Sequence, residues 1–282
     1  MELCHYTNLS GLQGIISSKS IWATNYSFLN DSEEFIYGLS CLGKYLENYD
    51  PSKNKDPCRE HLFEVNKHFQ EVGTPEIYTT SFCSTKDLLS QWRSYGQQGV
   101  CIVFKKELIA QICHWEYNPG KNFSDIPPNI NIPKFDLYFN PVTYIEKGME
   151  YSEISKAINK VKERLREYFP SSNDDVFFQS INPKLFGLIF PFIKHPGFRE
   201  EGEYRLVSLR VNNPSDIKFR NNGRLIVPYV ELSVVNDKLP ISEIVIGPSN
   251  NANTLEKGVR VMLQHYGYNN VEIVHSNIPY KA

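Results

Sequence analysis

The chain has 282 residues, 41% of them hydrophobic, enough to bury a sizeable core in one elaborated domain or in two. Thirty basic residues against 32 acidic ones give a net charge of −2, which excludes a global polyanion-binding surface and leaves nucleic acid only a local point of contact. Six scattered cysteines without a CxxC pair, no leader ahead of them, and no apolar run near the ~20 residues needed to cross a bilayer indicate reduced thiols in a cytoplasmic protein without a zinc site.

The first elements are strand, helix, strand. His5 and Thr7 sit two apart in a strand-like opening, so they share a face while Cys4 and Tyr6 point the other way. Leu9, Leu12, Ile15 and Ile16 follow at helical spacing behind Thr7 or Asn8 as cap, and Ile21 to Thr24 read as the second strand. Asp31 and Glu34 have capping-box spacing ahead of a helix with Leu39, Leu42 and Leu46 on its apolar stripe. Leu62, Val65 and Phe69 outline a third helix in an otherwise polar stretch.

A strand "IYTTSFC", a short helix "LLSQWRSYG" stopped by Gly96 and a buried strand "GVCIVF" come next. Residues 118–133, rich in Pro and Asn, predict a loop leading into the strand-like "VTYIE", and Ile154, Ile158, Val161 and Leu165 mark a charged amphipathic helix. "EYRLVSLRV", "RLIVPYVEL" and "ISEIVIG" are strands, followed by a helix with Leu255, Val259, Met262 and Leu263 and a terminal strand "VEIVHS". Without a regular βαβ rhythm, the pattern predicts an α+β class with a mixed, mainly antiparallel sheet and flanking helices. It fits one elaborated domain over 1–282, with insertions near 47–75 and 118–185.

The commoner enzyme signatures GxGxxG, GxxxxGK, HExxH and GxSxG are missing from the chain. What stands out is His5 with Thr7, the segment "LSQWRSYG", and "KHPGFREEGEYRLV" from Lys194 to Val207. In the last, Glu203, Arg205 and Val207 share a strand face, and Glu200, Glu201 and Glu203 crowd around Gly202 after a Pro-Gly turn. Each has a structural alternative: His5 as a satisfied core histidine, Glu203 and Arg205 as a salt bridge, Trp92 as core packing.

The pieces H-Y-T, L-x-G-I-I, I-W-A-T-N, N-D-S-E-E-F, L-L-S-Q-W-R-S-Y-G, E-x-E-Y-R-L, E-I-V-I-G-P and H-S-N-I-P-Y-K resemble, over nearly the whole chain, an uncharacterised bacterial domain family. The opening H-x-T strand and the later E-x-E resemble the ADP-ribosyltransferase fold. That resemblance implies NAD as substrate, with His5 holding a ribose hydroxyl and Thr7 supporting the dinucleotide. Glu203 would stabilise the oxocarbenium-like transition state, and Glu201, or Glu200 in its place, would orient the acceptor. The family patterns also usually place a Tyr or Ser of a middle strand beside nicotinamide, and here Ser81, Tyr26 and Tyr95 compete. Arg93 offers a planar fork for the pyrophosphate, with Tyr95 or Trp92 to stack on a ring. The acceptor would be an intracellular macromolecule, protein or nucleic acid, in phage defence or as a toxin. Two other classes stand beside it: a non-catalytic nucleotide or nucleic-acid binding module of the same fold, and a metal-dependent nucleic-acid enzyme using His195, Lys194 and the glutamates.

Overall fold

A computed structural model describes residues 2–29, 33–50, 52–53, 56–72, 76–94, 99–105, 107–112, 135–168, 189–211, 213–234 and 238–279. Asn8 is the cap of the first helix: its side chain accepts the Gly11 N–H, and α1 (Leu9–Ser18) buries Leu12, Ile15 and Ile16 as the spacing requires. Either side lie β1 (Leu3–Thr7) and β2 (Ser20–Asn25). Next come α2 (Glu33–Leu46), α3 (Pro57–Val72), β3 (Tyr78–Phe82), α4 (Leu89–Ser94), β4 (Val100–Phe104) and α5 (Leu108–Ile112). Beyond these lie β5 (Phe135–Pro141), β6 (Thr143–Tyr144), α6 (Glu150–Tyr168), β7 (Ile193–Lys194), β8 (Tyr204–Val211), β9 (Ile217–Asn221) and β10 (Ile226–Ser233). The order ends with β11 (Ile241–Ile246), α7 (Ala252–His265) and β12 (Glu272–His275).

The strands form two main sheets, one ordered β1-β4-β11-β12 and the other β5-β8-β3-β2-β10-β9, with a small parallel pair β6-β7. All neighbours in the main sheets are antiparallel except β11 and β12, which the helix α7 joins in parallel. The class is thus α+β with mixed, mostly antiparallel sheets and flanking helices. The sheets meet where β1 passes the end of β3: Cys4 and Cys83 exchange both backbone hydrogen bonds, at 3.0 and 2.7 Å.

Side-chain alternation sorts the core into three regions. Leu3, Ile102, Phe104 and Ile244 of the first sheet pack with Ile21, Ala23, Phe82, Leu206 and Val230 of the second, sealed by α1, α5 and α7. The opposite face of the second sheet, at Val207, packs against α2, α3 and α6 and the segment Phe190–Ile193. The other face of the first sheet carries Cys4, Tyr6, Cys101, Val103 and Val245 under Trp92.

One expected strand is shorter than its sequence suggested and two strands were not expected. The predicted strand "VTYIE" is only the two-residue β6, while no strand was expected at β5, just before it, or at β9. The predicted cap Asp31, the stop at Gly96, the loop 118–133 and Cys113 lie outside the described residues. Among those that are described, the cysteines are buried free thiols, and no helix is long and apolar enough to cross a membrane.

Candidate functional site

Two-residue alternation puts Arg205 of β8 and Glu203, just before it, on one side of the chain, and the pairing of β8 with β3 sets Ser81 directly opposite Arg205. Glu203 itself is fixed by its backbone: its N–H donates to the Tyr144 hydroxyl at 3.0 Å and its carbonyl accepts from Val142 N–H at 2.9 Å. Before it, a 3-10 turn (Pro196–Glu201) ends on Gly202, whose left-handed φ of 51° reverses the chain so that Glu201 and Glu203 both face back toward Lys194.

What results is a closed group of charges. Arg205, with 1% of its surface exposed, gives Nε to Glu203 Oε1 at 2.7 Å and Nη2 to Glu203 Oε2 at 3.0 Å. It also donates to Glu34, to the Tyr26 hydroxyl at 3.2 Å and to the Pro191 carbonyl at 2.7 Å. The Lys194 ammonium lies 2.9 Å from Glu34, 2.8 Å from Glu201 and 2.9 Å from Glu203, under the ring of Phe198. Three carboxylates therefore share two cations out of bulk water, where such pairs resist separation.

The electrostatics follow from that arrangement. Burial alone would raise the Glu203 pKa, but the Arg205 guanidinium and the Lys194 ammonium outweigh it and, with a hydrogen bond from Ser81, hold the carboxyl down at about 2. Burial would likewise strip Lys194 of its proton, yet Glu203 and Glu34 keep its pKa well above the ordinary lysine value. Glu201 goes the other way: its burial outweighs the pull of Lys194 and raises its pKa.

Ser81 ties this group to the other sheet. Its hydroxyl meets Glu203, and its carbonyl accepts a 2.9 Å hydrogen bond from Nδ1 of His5. Burial lowers the His5 pKa; the Ser81 carbonyl opposes that, and the charge of Arg220 adds to it. His5, Ser81, Glu201 and Glu203, named from the sequence, are thus brought to one region. Thr7 sits on the His5 side of β1 with its hydroxyl over Gly11 of α1.

Arg93 is placed elsewhere. It is an exposed residue of α4, a helix docked on the opposite face of β1 through Trp92, which packs edge-on to Tyr6 at 4.7 Å and donates to Asp87 at 2.6 Å. Trp92 is core packing. Tyr95 lies outside the described residues, and Tyr26 serves Arg205 rather than an open pocket. Glu200 is exposed on the turn, and His195 caps that turn by accepting Gly197 N–H at 3.1 Å. Glu34 and Tyr144 are the members sequence reasoning passed over, while Arg205 was expected only as a salt-bridge partner of Glu203. Glu34 had looked like half of a capping box, but both its oxygens are taken by buried cations.

The fold and site together describe an α+β protein of two mostly antiparallel sheets with a buried acid-base cluster near their junction. Residues 91–206, from α4 into β8, match a family described as Protein of unknown function (DUF2971). The resemblance to an uncharacterised domain family therefore holds for that segment. No curated protein and no solved structure matches the chain.

Proposed function

We propose that the chain is an ADP-ribosyltransferase-like enzyme that cleaves NAD and passes ADP-ribose to an intracellular macromolecule. The observation that carries this reading is the meeting of His5 of β1, Ser81 of β3 and Glu203, the residue just before β8, at the junction of the two main sheets. The two-sheet arrangement, with His5 on one sheet and Glu203 leading into the other, supports an ADP-ribosyltransferase-like fold.

In the proposed reaction the C–N glycosidic bond breaks, its electron pair leaves with nicotinamide and neutralises the pyridinium, and the acceptor's nucleophile bonds to C1′ and releases its proton. An ionised carboxylate beside the ribose stabilises the oxocarbenium-like transition state electrostatically. Glu203, held ionised at every physiological pH, supplies that charge. Arg205 and Lys194 are positioning residues that fix its orientation. Only 4% of Glu203 is exposed, so substrate engagement involves outward movement of Glu201 and its turn.

That enclosure is also the observation favouring a second reading, a non-catalytic nucleotide-binding module of the same fold. The metal-dependent reading gains less: Glu201 and Glu203, which would hold the ion, clasp Lys194 instead. Incubation of the full chain with radiolabelled NAD and cell lysate separates the readings. Free nicotinamide and labelled macromolecule support the transferase; NAD binding without nicotinamide release supports the module.

A further inference from the structure

The second sheet carries another constellation on the face it shares with Ser81 and Arg205. Register places Lys218, Arg220, Tyr229, Glu231, Trp22 and Thr24 together there, across β9, β10 and β2. The Arg220 guanidinium lies 5.6 Å from the centre of the Trp22 ring and 5.9 Å from that of Tyr229, and its Nη2 donates to Thr24 Oγ1 at 2.9 Å. The two rings are themselves 4.6 Å apart.

This platform is built. Trp22 donates Nε1 to Ser18 at 3.2 Å, and its ring lies over Gly14 of α1 so closely that a Cβ there would sit 2.0 Å from it. Beside it, Glu231 of β10 pairs with Lys218 of β9 at 2.6 Å. Tyr229 is buried beneath, while Trp22 and Arg220 are half-exposed. A flat guanidinium pinned on indole and phenol, with one edge fixed by a hydroxyl, matches the bidentate geometry of a phosphate and the stacking of a nucleobase. Its position is also felt at His5, whose pKa its charge depresses. The side chain reaches from β9 back to β2, one strand from β3 and two from β8, about 10 Å across the sheet from the strand that follows Glu203.

We propose that Arg220 on its Trp22–Tyr229 platform is the phosphate-binding residue for the ADP-ribose half of the dinucleotide. The assignment rests on the NAD reading above for its ligand. It replaces the role the sequence suggested for Arg93, which α4 carries on the far face of β1.

The test is isothermal titration of ADP-ribose into the full chain and into R220K, W22F and K218Q, with melting temperatures on the same preparations. R220K keeps the charge and loses the fork, so its affinity falls at least ~10-fold with little change in melting temperature, while K218Q stays within about two-fold. W22F, which keeps the guanidinium but narrows the platform, weakens binding by about three-fold or more, and carries the test if R220K does not fold. Unchanged affinity in both R220K and W22F overturns the proposal, as does a wild-type chain that binds no ADP-ribose. If the wild type releases nicotinamide and R220K leaves KM unchanged, the phosphate assignment falls and the transferase stands. If R220K loses ADP-ribose but the wild type releases no nicotinamide, the assignment stands and the transferase falls.

Discussion

Replacing Arg205 with methionine removes the cation around which the buried cluster is organised. The side chain is 1% exposed and makes five hydrogen bonds, two of them to Glu203 and one to Glu34. With the guanidinium gone, Lys194 alone among these side chains faces Glu34, Glu201 and Glu203. Stripping one partner from a buried, hydrogen-bonded pair costs about 3–5 kcal/mol, because the surviving charge stays desolvated. At roughly 2 °C per kcal/mol for a chain of this length, the melting temperature at pH 7 falls by about 6–10 °C. The loss also depends on pH. Without Arg205, only Lys194 and Ser81 oppose the effect of burial, so the Glu203 pKa rises and the carboxyl is neutralised at milder acidity than in the wild type, where it stays ionised down to about 2. The stability gap between variant and wild type therefore narrows as pH drops from 7 toward 4. Urea unfolding at pH 7, 5.5 and 4 measures it, and adding Glu203→Gln to the variant recovers part of the loss. A gap below about 1 kcal/mol at pH 7, or one that ignores pH, would refute the account of the cluster.

In the transferase reading, Glu203→Gln keeps the size but loses the charge and one of the two oxygens that accept from Arg205 and Lys194, so nicotinamide release falls by about 100-fold or more; unchanged turnover would move the catalytic role elsewhere. The wild type itself loses stability as pH falls from the ordinary glutamate value of 4.5 toward about 2, because the unfolded chain takes up the proton that native Glu203 refuses; the contribution is on the order of 3 kcal/mol, read from acid unfolding of wild type against Glu203→Gln. The depressed pKa of His5 acts with the same sign at milder acidity: its contribution is intact above 6.5 and declines below it, and His5→Asn should flatten that part of the profile. Gly202→Ala forces a side chain onto a residue with φ of 51° and brings its Cβ within 2.6 Å of Ser84 Oγ, so it destabilises the chain by about 1–2 kcal/mol, measurable by thermal melting.

How much of this was legible depended on whether a residue's neighbours in sequence were also its neighbours in space. Asn8 and the stripe Leu12, Ile15, Ile16 declare α1 because a cap and a helical face are local facts, and the unbroken run Val100–Phe104 declares a strand buried on both faces. β9 could not be read that way: Ile217, Phe219 and Asn221 lie toward the sheet's edge and are exposed or half-exposed, so burial leaves only a weak alternating mark. The same logic governs the site. The Glu203–Arg205 pair follows from the two-residue period of a strand and was foreseeable as a salt bridge. Glu34 was not, since its local spacing fits a helix start equally well and only the fold reveals the cations it meets. Arg93 stood out in the sequence by being flanked by aromatics, yet helical geometry turned Trp92 inward to Tyr6 and left Arg93 outside. Arg220 drew no notice because its aromatic partners, Trp22 and Tyr229, come from other strands.

The strand order sets a timetable for the nascent chain. β1 must wait for β4, β3 for β8, and β2, although it can meet β3 early, stays open along most of its other edge until β10 is made, where Thr24 finally faces Tyr229. Topologies dominated by such distant pairings fold slowly, because a long loop must close before any contact compensates for it. During synthesis the first half of the protein therefore presents unpaired strand edges, and it calls for chaperone protection until roughly residue 233 has emerged from the ribosome. The charge cluster obeys the same schedule: Glu34 and Ser81 are translated long before Lys194, Glu203 and Arg205, so a chain truncated ahead of β7 lacks both cations that meet Glu34 in the fold.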